Sequence, residues 1–287
     1  MQDLGAGTYN VPPGLSLPRL ASIRASVQIP LDMYVESPDG IGGFWNDGRG
    51  IAGRGADDVG FIRMLLDSLS RHLAGEYRVI APDLRGHGRS DKPDHGYDFA
   101  TMGSDLLDVL DAVGFDAAVL VGQSTGGNIV VDLAAQAPER VAGVAGIDGG
   151  ALELSRQFPE WERCKVALAP PRLAGTPVAR VEGWIRQGHP GWSDWAIEAT
   201  MANLEHLPDG TVRPWLSLDN HLRILRSLWE HRPSTVIPKL DVPVLLVMAD
   251  TGDEWAGQKR AIAEELGSGR VRVEWFSPGD HDLHAQH

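Results

Sequence analysis

"VGQSTGGN", residues 121–128, decides how the rest of this chain is read. A short apolar run, "AAVLVG" (117–122), leads into it, of the kind found in a parallel strand buried on both faces. "NIVVDLAAQAPER" follows with apolar residues at helical spacing, until Pro138 ends the pattern. With 34 glycines in 287 residues, a G-x-S-x-G match is weak by itself. Its position between a buried strand and a helix is what a nucleophile elbow requires. In such a turn a side chain larger than hydrogen is expected to clash near the serine, which accounts for Gly122 and Gly126. Ser124 is then forced into a strained backbone conformation at a helix N-terminus. There the Thr125 N–H and the positive end of the helix dipole can stabilise an oxyanion. The competing reading is a glycine-rich turn with an inert serine.

Outward from this point, residues 60–148 alternate helix and strand. "FIRMLLDSLSRHL" (61–73) puts Phe61, Met64, Leu65, Leu69 and Leu73 on one helical face. "YRVIAPD" is expected as a strand, "TMGSDLLDVLDAVG" (101–114) as a helix closed by Gly114, and "VAGVAGID" (141–148) as a further strand. Alternation of this kind implies a mostly parallel sheet with helical crossovers. It lapses over 150–235, which carries six of the nine tryptophans, several helical stretches and no clear strand. It resumes with "VPVLLVMAD" (242–250), a helix over 254–266 and "RVRVEWF" (270–276). The expected organisation is an α/β core of residues 1–149 and 236–287, with a helical cap inserted at 150–235. Residues 1–24 read as an irregular arm, 26–36 as one or two short strands, and 37–58, with seven glycines, as a loop.

A serine hydroxyl needs a base to take its proton. The closing stretch "SPGDHDLHAQH" offers His281, His284 and His287, and His281 is preferred because it follows the last strand after a short Pro-Gly turn. A metal site built from the three imidazoles is disfavoured, for no supporting carboxylate shell is evident. The base in turn needs an acid to hold its tautomer. "ADTGDEW" supplies Asp250 and Asp253 at the end of a strand, the edge where such sheets place their sites. Asp253 is the assignment, although it also suits the N-cap of the next helix. Asp250 and Asp148, each at a strand end, are the alternatives. Asp280 and Asp282 flank His281 but point away from it if the chain is extended there.

The net charge of −13 argues against a nucleic-acid groove or an anionic membrane as partner. No apolar run approaches the roughly 18 residues of a membrane span, and the first residues lack the pattern of a secretory signal. Cys164 is the only cysteine, which excludes an internal disulfide and a cysteine-based zinc site. The expectation is a cytoplasmic protein with a small-molecule substrate and no cofactor.

Ser124, Asp253 and His281 stand in the order used by the α/β-hydrolase superfamily, and the chain resembles its capped serine hydrolases, esterase- and lactonase-like. "YRVIAPDLRGHGRSDKP", "VLVGQSTGGNIVVDLAAQAPERVAGVAGIDGG", "VPVLLVMADTGDEW" and "GDHDLHAQH" carry the likeness, over about residues 60–150 and 238–287. It implies a mainly parallel sheet, a helical cap and acyl transfer through Ser124. Relatives that open epoxides or displace halide carry Asp at the elbow instead. Two departures stand out. No His-Gly follows an early apolar strand, so the second oxyanion donor is assigned to Gly43 within "GIGGFW" (40–45), which resembles the Gly-Gly-aromatic loops of some esterases. The family also usually adds a helix after the histidine loop, where this sequence stops at His287.

The reading from sequence is a serine hydrolase of a small, largely apolar ester or lactone, with Gln123, Trp184 and Trp192 as substrate contacts. Aromatic walls in the inserted block motivate that substrate class. Those tryptophans equally suit the block's own core. The alternatives are a non-catalytic or impaired ligand-binding member of the fold, or a C–C bond hydrolase or perhydrolase.

Overall fold

A computed structural model describes residues 79–283, apart from Arg89, Asp253 and Ser268. The arm, the 26–36 strands, the 37–58 loop with Gly43, the 61–73 helix, Asp253, His284 and His287 lie outside the described residues.

Helix α1 (Phe99–Ala112) begins at Asp98, whose carboxylate accepts from Thr101 N–H, and ends before Gly114 at φ +74°. That left-handed conformation suits glycine and stops the helix. Strand β1 (Ala118–Gln123), helix α2 (Thr125–Gln136) and strand β2 (Val141–Ile147) follow directly. β2, "VAGVAGI", has six of its seven residues buried, as a strand covered on both faces demands. After a long excursion, β6 (Val244–Ala249), α9 (Glu254–Leu266) and β7 (Val271–Phe276) complete a sheet of order β1-β2-β6-β7 with every pair parallel. The chain thus forms a mostly parallel sheet flanked by helices. Val130, Val131 and Leu133 of α2, Val144, Leu246 and Met248 of the sheet, and Ile262 and Leu266 of α9 share one core.

Register pairs Gln123 with Ile147, Ile147 with Val247 and Ala249 with Phe276. The carboxyl ends of all four strands therefore meet at one edge, and the residues that follow them are Ser124, Asp148, Asp250 and the 277–283 loop. The described part of the expected 77–83 strand carries only a single bridge, at Pro82. Proline has no N–H to give to a ladder.

The excursion holds short helices α3 (Leu154–Gln157) and α4 (Trp161–Leu168), then α5 (Val178–Gly188), α6 (Asp194–Met201), α7 (Leu218–Glu230) and α8 (Pro233–Val236). It also holds a feature not expected from the sequence, a small antiparallel sheet of β3 (Thr176–Pro177), β5 (Thr211–Pro214) and β4 (Leu204–His206). The signal was there in "LPDGT". Gly210, at φ +81°, donates to Leu207 O at 3.0 Å, and Asp209 accepts from Thr211 N–H at 3.0 Å, which makes a tight hairpin turn. Val181, Ile197, Met201 and Val212 give this part a core of its own, while Leu225 and Leu228 of α7 pack with Phe99, Met102 and Ile129.

Candidate active site

Ser124 sits between β1 and α2 with φ 50° and ψ −122°, and its side chain makes no capping hydrogen bond. A non-glycine residue in such a conformation stores about 1–3 kcal/mol of strain, which the surroundings must hold in place. They do so by close approach. A Cβ on Gly122 would lie 2.3 Å from Gly126 C and O, and one on Gly149 would lie 2.1 Å from Ser124 O and 2.5 Å from Ser124 N. The expectation for Gly126 does not hold: among the described residues a Cβ there meets nothing within 4 Å. The second constraint comes instead from Gly149, in the turn after β2. Ser124 N–H donates to Ile147 O at 2.9 Å, stitching the elbow to the same turn. Thr125 opens α2, so its N–H belongs to the helix N-terminus, where the dipole favours negative charge.

His281 Nδ1 lies 2.6 Å from Asp148 Oδ2. Asp148 is fully buried and, at φ +40°, is itself in the left-handed region. Its carboxylate accepts from Ala249 N–H at 2.9 Å and from Lys259 Nζ at 2.7 and 2.8 Å. Burial works against the charged carboxylate, but the hydrogen bonds from His281, Lys259 and Ala249 and the charge of Lys259 outweigh it. Asp148 is held below the usual carboxylate value. For His281, burial disfavours the imidazolium, yet the hydrogen bond and charge of Asp148, with the charge of Asp282, raise its pKa above the ordinary histidine value. Its ring remains about half exposed.

Gln123, expected as a substrate contact, is tied to the loop that carries His281. Its Nε2 donates to His281 O at 3.2 Å and to Asp282 Oδ1 at 3.0 Å, so the residue before Ser124 ties down the loop that carries His281. The loop turns rather than running extended. Asp282 therefore faces Gln123, and Asp280 lies 3.2 Å from His189 Nδ1 of the inserted block. Asp250 does not reach His281 Nδ1, which Asp148 occupies. It is bound to Arg260 and accepts from Gly252 N–H at 3.2 Å.

Most of the described tryptophans serve packing. Trp192 stacks on His189 at 3.8 Å and packs on the core of the inserted block. Trp161 and Trp229 pair at 6.1 Å with Arg226 over both rings. Trp215 donates to Ala202 O at 3.1 Å. Among the described tryptophans Trp184 is the exposed one, at 46%, with Arg180 over its face.

Three supporting residues went unnoticed in the sequence. Lys259 stands 111 positions from Asp148, with no local signal for the pairing. Asn128, one turn into α2, is buried and uses its whole amide. Oδ1 accepts from Gly150 and Leu152 N–H at 2.9 and 3.3 Å, while Nδ2 donates to Leu152 O at 2.7 Å and to His231 Nδ1 at 2.9 Å. That network anchors the elbow helix to the turn behind Asp148 and to His231, just after α7.

The chain belongs to the alpha/beta hydrolase fold family, whose model matches residues 49–287. A non-heme chloroperoxidase of Streptomyces lividans is 48% identical over 71 residues, 24% of this chain and 26% of that protein. Esterase YbfF of Escherichia coli is 37% identical over 83 residues, 29% of this chain and 32% of that one. The matched stretches thus span about a quarter to a third of these two relatives. Among solved structures, E-2-(acetamidomethylene)succinate hydrolase superposes with a TM-score of 0.63 at 24% identity, over 78% of this chain and 81% of that one, a likeness of fold alone. Among the described residues no helix is long and apolar enough to cross a membrane.

Proposed function

We propose that this protein is a serine hydrolase that cleaves an ester or lactone of a small, largely apolar substrate through an acyl-enzyme on Ser124. The observation that carries the reading is the His281–Asp148 pair, 2.6 Å apart, with His281 on a loop tied by Gln123 to the strained Ser124 turn. In the proposed cycle, Ser124 Oγ attacks the carbonyl carbon and passes its proton to His281 Nε2, which returns it to the leaving alcohol. Water then repeats the exchange and releases the acid. Asp148 holds the imidazole in the tautomer that leaves Nε2 free to accept, and stabilises the imidazolium. Thr125 N–H supplies one oxyanion donor and Gly43 is proposed as the second. Asp148 replaces Asp253 in this assignment because it is the carboxylate found on His281. With Trp192 committed to packing, the apolar substrate class leans on Trp184.

A second reading is perhydrolysis, in which hydrogen peroxide instead of water takes the acyl group. The likeness to a non-heme chloroperoxidase favours it. Labelling with a fluorophosphonate, followed by mass mapping, is expected to place the adduct on Ser124. Turnover of short-chain p-nitrophenyl esters and lactones, with and without peroxide, then separates the two chemistries. Undiminished turnover in Ser124→Ala would sink both.

A further inference from the structure

Lys259 and Asp148 form a buried ion pair at the strand edge that carries Ser124: the lysine side chain is 9% exposed and the carboxylate not at all. The ammonium bridges both carboxylate oxygens and also donates to Ala249 O at 3.2 Å. Asp148 therefore has four hydrogen bonds, two on each oxygen: Lys259 and Ala249 N–H on Oδ1, Lys259 and His281 on Oδ2. A carboxylate so saturated cannot rotate, and its charge is already met by a cation before His281 takes up a proton.

We propose that Lys259 is a positioning residue of this site, which fixes the carboxylate used by His281 and sets the pH below which His281 stops acting as a base. This rests on the Ser124–His281–Asp148 reading above. The physical content is a competition. Asp148 alone would favour the imidazolium form of His281 more strongly. Lys259, a second cation on the same carboxylate, opposes that protonation, as its charge does for His281 here. Among the described residues, the other charge acting on the ring is Asp282, on its own loop. Asp282 accepts from Gln123, and Asp280 faces His189. Asp250 and Arg260, at the end of β6 and on α9, neutralise each other. Among the described residues, Lys259 is therefore the cation whose removal changes the balance at His281.

The test compares Lys259→Met, Lys259→Gln and Lys259→Arg in the full chain, with the His281 imidazole titrated by NMR beside the pH profile of kcat/KM on a p-nitrophenyl ester. Met and Gln are expected to raise the His281 midpoint, and the acid limb of the profile with it, by about one pH unit. Arg, which keeps the charge, is expected to leave both near the wild-type position even where its different shape lowers kcat. Gln retains a donor for Asp148 and is the variant read if Met does not fold. An unmoved midpoint in the neutral variants, or an equal shift in Arg, overturns the proposal, since a merely structural lysine would alter stability without that pattern. If the NMR shift appears while wild-type protein turns over neither esters nor lactones, the proposed hydrolase reading fails and the Lys259–Asp148–His281 coupling stands.

Discussion

Lowering the pH from 7 towards 4 ought to expose how the elbow helix is anchored, because one histidine holds it in a form that protonation destroys. His231 is buried, its ring edge-on to Phe99 at 5.3 Å. Its Nδ1 accepts from Asn128 Nδ2, and the Asn128 amide cannot be reversed without losing Gly150, Leu152 and the Leu152 carbonyl together. A proton on Nδ1 would set N–H against N–H. Among the described residues Nε2 has no hydrogen-bond partner, with Asp132 Oδ1 at 3.6 Å. Burial pushes the His231 pKa down to about 4, with Arg232 adding to the fall and Glu153 opposing it. The folded value lies below the unfolded one of about 6.5, so the unfolded chain takes up the proton first. The contribution is therefore complete above about pH 6.5 and is lost as the pH falls from there to about 4. At 1.36 kcal/mol for each pH unit, the loss is roughly 3 kcal/mol, a large part of a typical stability of about 5–15 kcal/mol. The control is His231→Gln, whose amide oxygen can accept from Asn128 but does not titrate. Urea unfolding followed at several pH values should show wild type losing roughly 3 kcal/mol more than the variant between pH 6.5 and 4. The carboxylates titrate in both proteins and largely cancel. Parallel stability curves would refute the reasoning.

Gly149→Ala and Gly122→Ala should each cost at least about 1–3 kcal/mol in thermal or urea unfolding, since the atoms a new Cβ meets are backbone. Gly126→Ala should be neutral or stabilising, and a large loss there would mean the elbow is packed differently. Asp148→Asn should lower kcat by around 10⁴ in protein that circular dichroism shows to be folded, because an amide supports the wrong imidazole tautomer. Asp250→Asn and Asp253→Asn should change kcat little. A large loss at Asp253 with none at Asp148 would move the acid back to the residue first read from the sequence.

The sequence determined by itself the alternation of β1, α2, β2, β6, α9 and β7, because each signal is local. Two-sided burial makes "VAGVAGI" small and apolar throughout, helical spacing marks 254–266, and Gly114 and Pro138 stop the chain where helices end. The strand–helix junction at Ser124 was legible on the same ground, and "LPDGT" could have announced the hairpin of β4 and β5. Only the tertiary structure decided which carboxylate reaches His281. Asp148, Asp250 and Asp253 all stand at or just beyond a strand end, and local pattern does not separate them. The choice depends on how strands 100 or more residues apart in the chain lie side by side, and on a lysine 111 positions away that makes a fully buried carboxylate tolerable. Packing likewise moved the steric demand from Gly126 to Gly149, since the wall facing Ser124 is a turn from the neighbouring strand rather than the serine's own helix.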